Sequence, residues 1–186
     1  NAWIRRGSIF LLVAGGLAVG PAFAHPQADE EPMDYDIERK TVEARPVLSV
    51  RGPTTVEDVS SAIAEGTRAV WEHLQEIGAQ PAGPPFSRYH EVRDDGTVDL
   101  EVGFPVPEPL EGGGDVEAGR LPGGEVITTV HHGPYEGLSR AGAALDRWLE
   151  ENDREARGPN WEVYRVNAGT VDDPSEYETD VFKPIR

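Results

Sequence analysis

The chain has 186 residues, with 34 acidic and 17 basic side chains and a formal net charge of −17 at pH 7. That length suits one ordinary domain with terminal extensions. So acidic a chain, with no run of Lys or Arg longer than the pairs Arg5-Arg6 and Arg39-Lys40, is poorly made for direct contact with nucleic acid. It contains no cysteine, which excludes disulfides, thiolate metal sites, a cysteine nucleophile and a lipid-modified cysteine anchor.

The first 24 residues read as an export signal. Arg5-Arg6 supply the positive region, Ile9–Val19 is an apolar run interrupted by Gly15-Gly16, and Ala22-Phe23-Ala24 fits a small-x-small cleavage pattern before His25. The expected location is therefore periplasmic or secreted. The alternative is an uncleaved membrane anchor, for which the apolar core is short against a span of about 20 residues. Residues 25–34 (HPQADEEPMD) form an acidic, Pro-containing stretch with the composition of a flexible linker. The folded domain is expected over residues 35–186.

Within that domain a first strand is expected near Val47–Val50, ended by Gly52-Pro53. Val56, Val59, Ile63, Thr67, Val70, Leu74 and Ile77 follow at spacings of 3, 4, 4, 3, 4 and 3, an apolar stripe on a long helix. Thr54 and Glu57 have capping-box spacing, and Gly78 is a plausible stop. Phe86–Val92 and the alternating Val98, Leu100, Val102 and Phe104 read as an antiparallel hairpin about the turn Asp94-Asp95-Gly96. Strands near Val116–Leu121 and Glu125–His131 come next. A second helix starts near Tyr135 or Glu136, carries Leu138, Ala141, Leu145, Trp148 and Leu149 on its apolar face, and ends around Asn152. Strands at Asn160–Asn167 and Tyr177–Ile185 close the chain.

The order strand, Gly-Pro, helix, Gly-Pro, strand, loop, strand occurs twice. Leu74 has its counterpart in Leu149, and Gly83-Pro84-Pro85-Phe86-Ser87-Arg88-Tyr89 in Gly158-Pro159-Asn160-Trp161-Glu162-Val163-Tyr164, both 75 residues later. Glu101-Val102 and Pro105-Val106 correspond to Asp180-Val181 and Pro184-Ile185. The expected fold class is α+β, a duplicated module over about residues 35–110 and 115–186. Each half is one helix on a small antiparallel sheet, with a ligand cleft at the pseudo-twofold seam.

The strand at Asn160–Asn167 draws attention because strand side chains alternate. Glu162, Tyr164 and Val166 share one face, and Trp161, Val163 and Arg165 the other. A carboxylate among apolar neighbours is costly unless it is paired or hydrogen-bonded. The repeat keeps the aromatics (Tyr89 for Tyr164, Phe86 for Trp161) and places Ser87 where the second half has Glu162. The carboxylate is thus an addition to one half, which favours function over architecture.

VHHGPYEGLSRAGAALDRWLEEN, RGPNWEVY and YETDVFKPI, in this order and spacing, resemble the GyrI-like small-molecule-binding domain, also called the AraC-type or bacterial transcription-activator effector-binding domain. The resemblance covers roughly Tyr35–Arg186 and rests most on Gly133–Leu138, Gly158–Tyr164 and Asp180–Ile185. It implies a duplicated α+β fold and a groove for small aromatic or cationic amphipathic molecules, and places the family's recurring acidic residue at Glu162. Some members sit on DNA-binding regulators, some stand alone, and some hydrolyse cyclopropane-containing toxins. These residues contain no helix-turn-helix segment, and the signal-like N-terminus is a second departure from the regulators.

The candidate ligand contacts are Glu162, Tyr164, Tyr135, Trp161, Tyr89 and Phe104, with Trp71 a further aromatic beside the first helical stripe. A Glu among aromatic rings can pair with a ligand cation while the rings stack on its flat part. The expected partner is a hydrophobic or cationic small molecule, with no cofactor and no direct nucleic-acid contact. In the alternative, Glu162 acts as general base of a hydrolase with Tyr164 or Tyr135 assisting. A SOUL-like haem binder is the second alternative, which needs a histidine ligand. His131 and His132 point to opposite sides of a strand and cannot readily chelate one metal, so both read as surface or turn residues.

Overall fold

The computed structural model describes residues 35–186; the export signal and linker expected before Tyr35 lie outside the described residues. The order is β1 (Glu38–Val42), β2 (Arg45–Thr55), α1 (Val59–Glu76), β3 (Phe86–Val92), β4 (Thr97–Pro105), β5 (Glu117–Leu121), β6 (Gly124–His132), α2 (Leu138–Glu151), β7 (Asn160–Val166) and β8 (Glu178–Pro184), with 3-10 turns at Tyr135–Gly137 and Pro174–Glu176. All eight strands join one antiparallel sheet in the order β1-β6-β8-β7-β3-β4-β2-β5, curled into a half-barrel. The fold is α+β. The two small sheets expected from the sequence are one, because β3 pairs with β7 and places Ser87 directly opposite Glu162.

Both helices lie on the same face of this sheet. The apolar stripe of α1 presents Val70 and Leu74 to Leu48 and Phe104, so the helix packs on β2 and β4. Ala141, Leu145 and Leu149 of α2 pack on Ile127, Val181 and Ile185, so that helix covers β6 and β8. The central pair β3 and β7 lies between them as the floor of a trough. On the opposite face Val47, Phe86, Leu121, Val126 and Trp161 form another apolar cluster, with Trp161 stacked on Phe182 at 5.1 Å.

Several local details differ from the sequence expectation. The polar edge strand β1 (ERKTV) was not anticipated. β2 does not stop at Gly52-Pro53 but runs on to Thr55. Pro53 is tolerated because β5 covers only Arg45–Ser49, and beyond Ser49 β2 is an edge that loses nothing by a missing N–H. The helix starts at Val59, and the expected Thr54/Glu57 box gives way to Thr55, whose hydroxyl accepts from the Asp58 N–H and donates to its carboxylate. The stop at Gly78 does form. With φ of +68°, it lets Ala79 and Gly78 donate back to Leu74 and Gln75, which satisfies the last carbonyls of the helix.

Two helical glycines differ sharply in what surrounds them. A Cβ on Gly66 would sit 2.9 Å from Val50 Cγ2 and 3.0 Å from Val102 Cβ, so α1 approaches the sheet more closely than any side chain allows. A Cβ on Gly142 would meet nothing within 4 Å. Chemical denaturation should show Gly66→Ala destabilised by about 1–3 kcal/mol despite its better helix propensity, and Gly142→Ala stabilised by about 0.5–1 kcal/mol.

Candidate functional site

Strand alternation delivers Ser87 and Tyr89 from β3, and Glu162 and Tyr164 from β7, to the floor of the trough. Glu162 is 9% exposed. Its Oε2 accepts hydrogen bonds from Tyr164 (2.8 Å), Tyr89 (3.1 Å) and, at 3.4 Å, Ser87. With the Tyr164 phenol donating to the carboxylate, the 2.6 Å contact between Ser87 and Tyr164 has Ser87 donating, so its one proton goes mainly to Tyr164 and the 3.4 Å approach to Glu162 is the weaker branch. The result is a short relay, Ser87 to Tyr164 to Glu162.

The electrostatics follow from this geometry. Burial pushes the Glu162 carboxyl above its ordinary value, and the hydroxyls of Tyr164, Tyr89 and Ser87 pull part of the way back by stabilising the anion. Burial first, then the neighbouring negative charge, raises the Tyr164 phenol well above its ordinary value and raises that of Tyr89. Both phenols therefore remain protonated donors. Among the described residues no lysine or arginine bonds to this carboxylate: its partners are neutral hydroxyls. Such a group can receive a ligand cation, or take a proton from a bound nucleophile.

The other residues singled out from the sequence divide. Tyr135, in the 3-10 turn before α2, is 36% exposed. Its ring meets Tyr164 edge-on at 5.5 Å and stacks on Tyr177 at 4.9 Å. With Pro134, Glu136, Pro174 and Tyr177 it lines a surface depression of about 480 Å³, so it stands between that depression and the caged carboxylate. Phe104 lies under α1 with Trp71 against it at 6.0 Å, on the wall of the trough rather than in the cage. Trp161 is on the opposite face of the sheet, in the cluster with Phe86 and Val47, and does not reach Glu162. Another hollow, of about 470 Å³, is lined by Glu38, Lys40, Thr128, His132 and Asp180 among others. It lies at the β1–β6 edge, away from the carboxylate.

Two residues of the cage and its cover were not singled out from the sequence, Ser87 and Tyr177. Ser87 was noted only as the counterpart of Glu162, although the same 75-residue offset aligns the strands that place it there. Tyr177 lay in the closing motif but was not read as part of the site; it stacks on Tyr135. One expectation is corrected: His131 is no surface residue but 2% exposed. Its Nε2–H donates to the Pro134 carbonyl and its Nδ1 accepts from Tyr35, which engages both nitrogens. His132 is exposed, as alternation requires. Among the described residues no group of three or more His, Asp or Glu could hold a metal ion, and no helix is long and apolar enough to cross a membrane. Because Tyr164 supplies the largest hydroxyl stabilisation of the Glu162 anion, Tyr164→Phe should push the carboxyl further up. Carbon-detected NMR titration of Glu162 would show the higher midpoint, and an unchanged midpoint would contradict the cage.

No curated protein matches the chain. Among solved structures, EcmrR in its complex with DNA superposes with a TM-score of 0.75 at 23% identity, covering 82% of this chain. The chain spans only 57% of that protein. The EcmrR C-terminal domain by itself gives 0.74 at 21% identity, with 83% of this chain and 99% of that one covered. SAV2435 bound to tetraphenylphosphonium gives 0.53 at 11% identity, covering 83% and 94%. A hydrolase from Listeria innocua gives 0.57 at 15% identity, covering 81% and 91%. At these identities the likeness is one of fold. A family model, the GyrI-like small molecule binding domain, matches residues 33–186, and the chain belongs to that family.

Proposed function

We propose that the domain binds aromatic or amphipathic cations in the trough between α1 and α2, with Glu162 as the anionic contact and Tyr164, Tyr89 and Tyr135 as the aromatic surround. One observation carries this reading: Glu162 is a buried carboxylate held by hydroxyls, with no cation bonded to it among the described residues. An ion taken out of water without a counter-charge is costly, and a ligand cation would supply what the chain does not. Family membership, and tetraphenylphosphonium in the related fold of SAV2435, support it. Tyr135 covers the approach, so a ligand that enters from the surface depression has to displace that ring.

The placement of Glu162 fits an internal duplication. The map β1 to β5, β2 to β6, β3 to β7 and β4 to β8 turns the strand order into itself reversed. Under this map each first strand edges the other half: β1 pairs with β6, and β5 with β2. Ser87 and Glu162 are both repeat counterparts and register partners, so the seam of the two halves passes between them. A ligand at Glu162 would lie on that seam.

A second reading, proton abstraction by Glu162 in a hydrolase, draws on its raised pKa and on the relay through Tyr164 and Ser87. Glu162→Gln would abolish such turnover. We further propose that the domain works outside the cytosol, on the strength of Arg5-Arg6, the apolar run Ile9–Val19 and the Ala22-Phe23-Ala24 site. Expression of the chain in a bacterial host should yield exported protein whose first residue is His25; an unprocessed cytosolic product would refute this.

Tetraphenylphosphonium titration followed by Trp fluorescence tests the main reading. Glu162→Gln should weaken binding about 10- to 100-fold, the range for losing a charged partner. The pH dependence has a definite sign. Only the ionised carboxylate attracts the cation, and its pKa is raised, so affinity should climb as pH rises through that raised value and level off above it. The glutamine variant should show no such climb. Equal affinities for parent and variant would remove Glu162 from the site.

A further inference from the structure

The two walls of the trough are not alike. On the α1 side the exposed Trp71 lies against Phe104 of β4. On the α2 side the equivalent place is held by Asp146 of α2 and Lys183 of β8, which form an ion pair. Both pairs bridge a helix to the strand next to the central pair. The outward sides of the helices are engaged elsewhere: His73 bonds the Glu111 carbonyl, and Trp148, like Tyr35 and Ile37, packs against the apolar cluster under α2.

Lys183 is an unusual choice for this position. The residue is 3% exposed, yet among the described residues its one hydrogen-bond and ion-pair partner is Asp146. An ammonium carries three donors, so one carboxylate leaves donor capacity unused. The Asp146 side chain is itself 63% exposed, a counter-ion that stays largely in water. Lys183 also has a fixed relation to Glu162. Glu162 registers with Val181 across β7 and β8, so Lys183, two residues on, is its diagonal neighbour on the same face. Such neighbours have Cα atoms about 7–8 Å apart. The opposite charges do not pair with each other: Glu162 is taken by hydroxyls and Lys183 by Asp146.

We propose that Lys183 is a specificity-determining residue of the Glu162 site, selecting dipolar ligands: aromatic amphiphiles that carry a carboxylate or another strong hydrogen-bond acceptor near their cationic part. This rests on the reading of Glu162 as the cation contact. Asp146 occupies the place of the ligand anion. Exchange of one carboxylate for another keeps Lys183 paired, and the released Asp146 is already mostly hydrated, so the exchange avoids stranding a buried charge. Trp71 on the facing wall offers a ring to stack on the ligand's flat part. A cation with no acceptor, such as tetraphenylphosphonium, would use Glu162 and leave Lys183 with Asp146.

The test compares rhodamine B, a zwitterion with a free carboxylate, with rhodamine B ethyl ester, in which that carboxylate is blocked; tetraphenylphosphonium is the reference cation. The parent protein should prefer the free acid about tenfold, the worth of one hydrogen bond to a charged group. Lys183→Met should bring the ratio near one, its folding being reported by circular dichroism and thermal denaturation. Asp146→Asn, on an exposed position, should widen the parent's preference by weakening the internal competitor. A parent ratio of one overturns the proposal, as does a ratio unmoved in Lys183→Met. If Lys183→Met does not fold, a ratio unmoved in Asp146→Asn overturns it. Glu162→Gln separates the two readings: it should weaken all three probes together, and if it weakens none, the Glu162 site falls and the Lys183 proposal with it.

Discussion

A buried carboxylate to which no cation is bonded among the described residues, Glu162, is the constraint around which the central strands are arranged. The chain contains a comparison that shows how unusual that is. Glu101, on β4 and the opposite face of the sheet, is as deeply buried as Glu162. It is met by His90 at 2.6 Å, by the Ser49 hydroxyl at 2.9 Å and by the Arg88 guanidinium at 3.7 Å. That is how a folded chain ordinarily holds an acid inside. Glu162 has the hydroxyls and no cation. The difference is one of charge balance rather than depth.

Holding such a group requires a rigid floor. Glu162 and Tyr164 come from one strand and Ser87 and Tyr89 from its neighbour, with Ser87 and Glu162 in register. The phenols approach from either side because both strands are flanked in turn, β7 by β8 and β3 by β4. The helices contribute by where they stop. α1 seats itself on β2 and β4 through Gly66, and α2 on β6 and β8 through Leu145. Neither extends its main contacts over the central pair. The floor is therefore fixed by sheet hydrogen bonds and not by helix packing.

Much of this was legible in the sequence, for identifiable reasons. Both helices and the strands β3, β4, β6, β7 and β8 carry strong periodicity, and alternation alone put Tyr164 beside Glu162 and Trp161 on the other side. What escaped was non-local or polar. β1 reads ERKTV, an edge strand whose charged residues guard against further pairing and so hide the strand. The burial of His131 depends on Tyr35, 96 residues away. The union of two half-sheets depends on a register between β3 and β7 that no local pattern announces. The same pairing turned Ser87 from a mere counterpart into a member of the cage. Local rules hold across the frame and break at Glu162, where function is the usual reason for the breach.

The cover and the floor of the site are built to different standards. Beneath, hydrogen-bonded strands fix the carboxylate and its donors. Above, Tyr135 sits in a 3-10 turn with no side-chain cap, tied down through the Gly137 to Pro134 bond and the His131 to Pro134 bond. Its ring rests on Tyr164 and Tyr177 with one side open to solvent. Segments with few buried contacts open at lower cost than ladder-bonded strands. A pocket whose lid is light and whose base is stiff can keep water from an uncompensated anion while empty. It can also open without disturbing the groups that hold the charge.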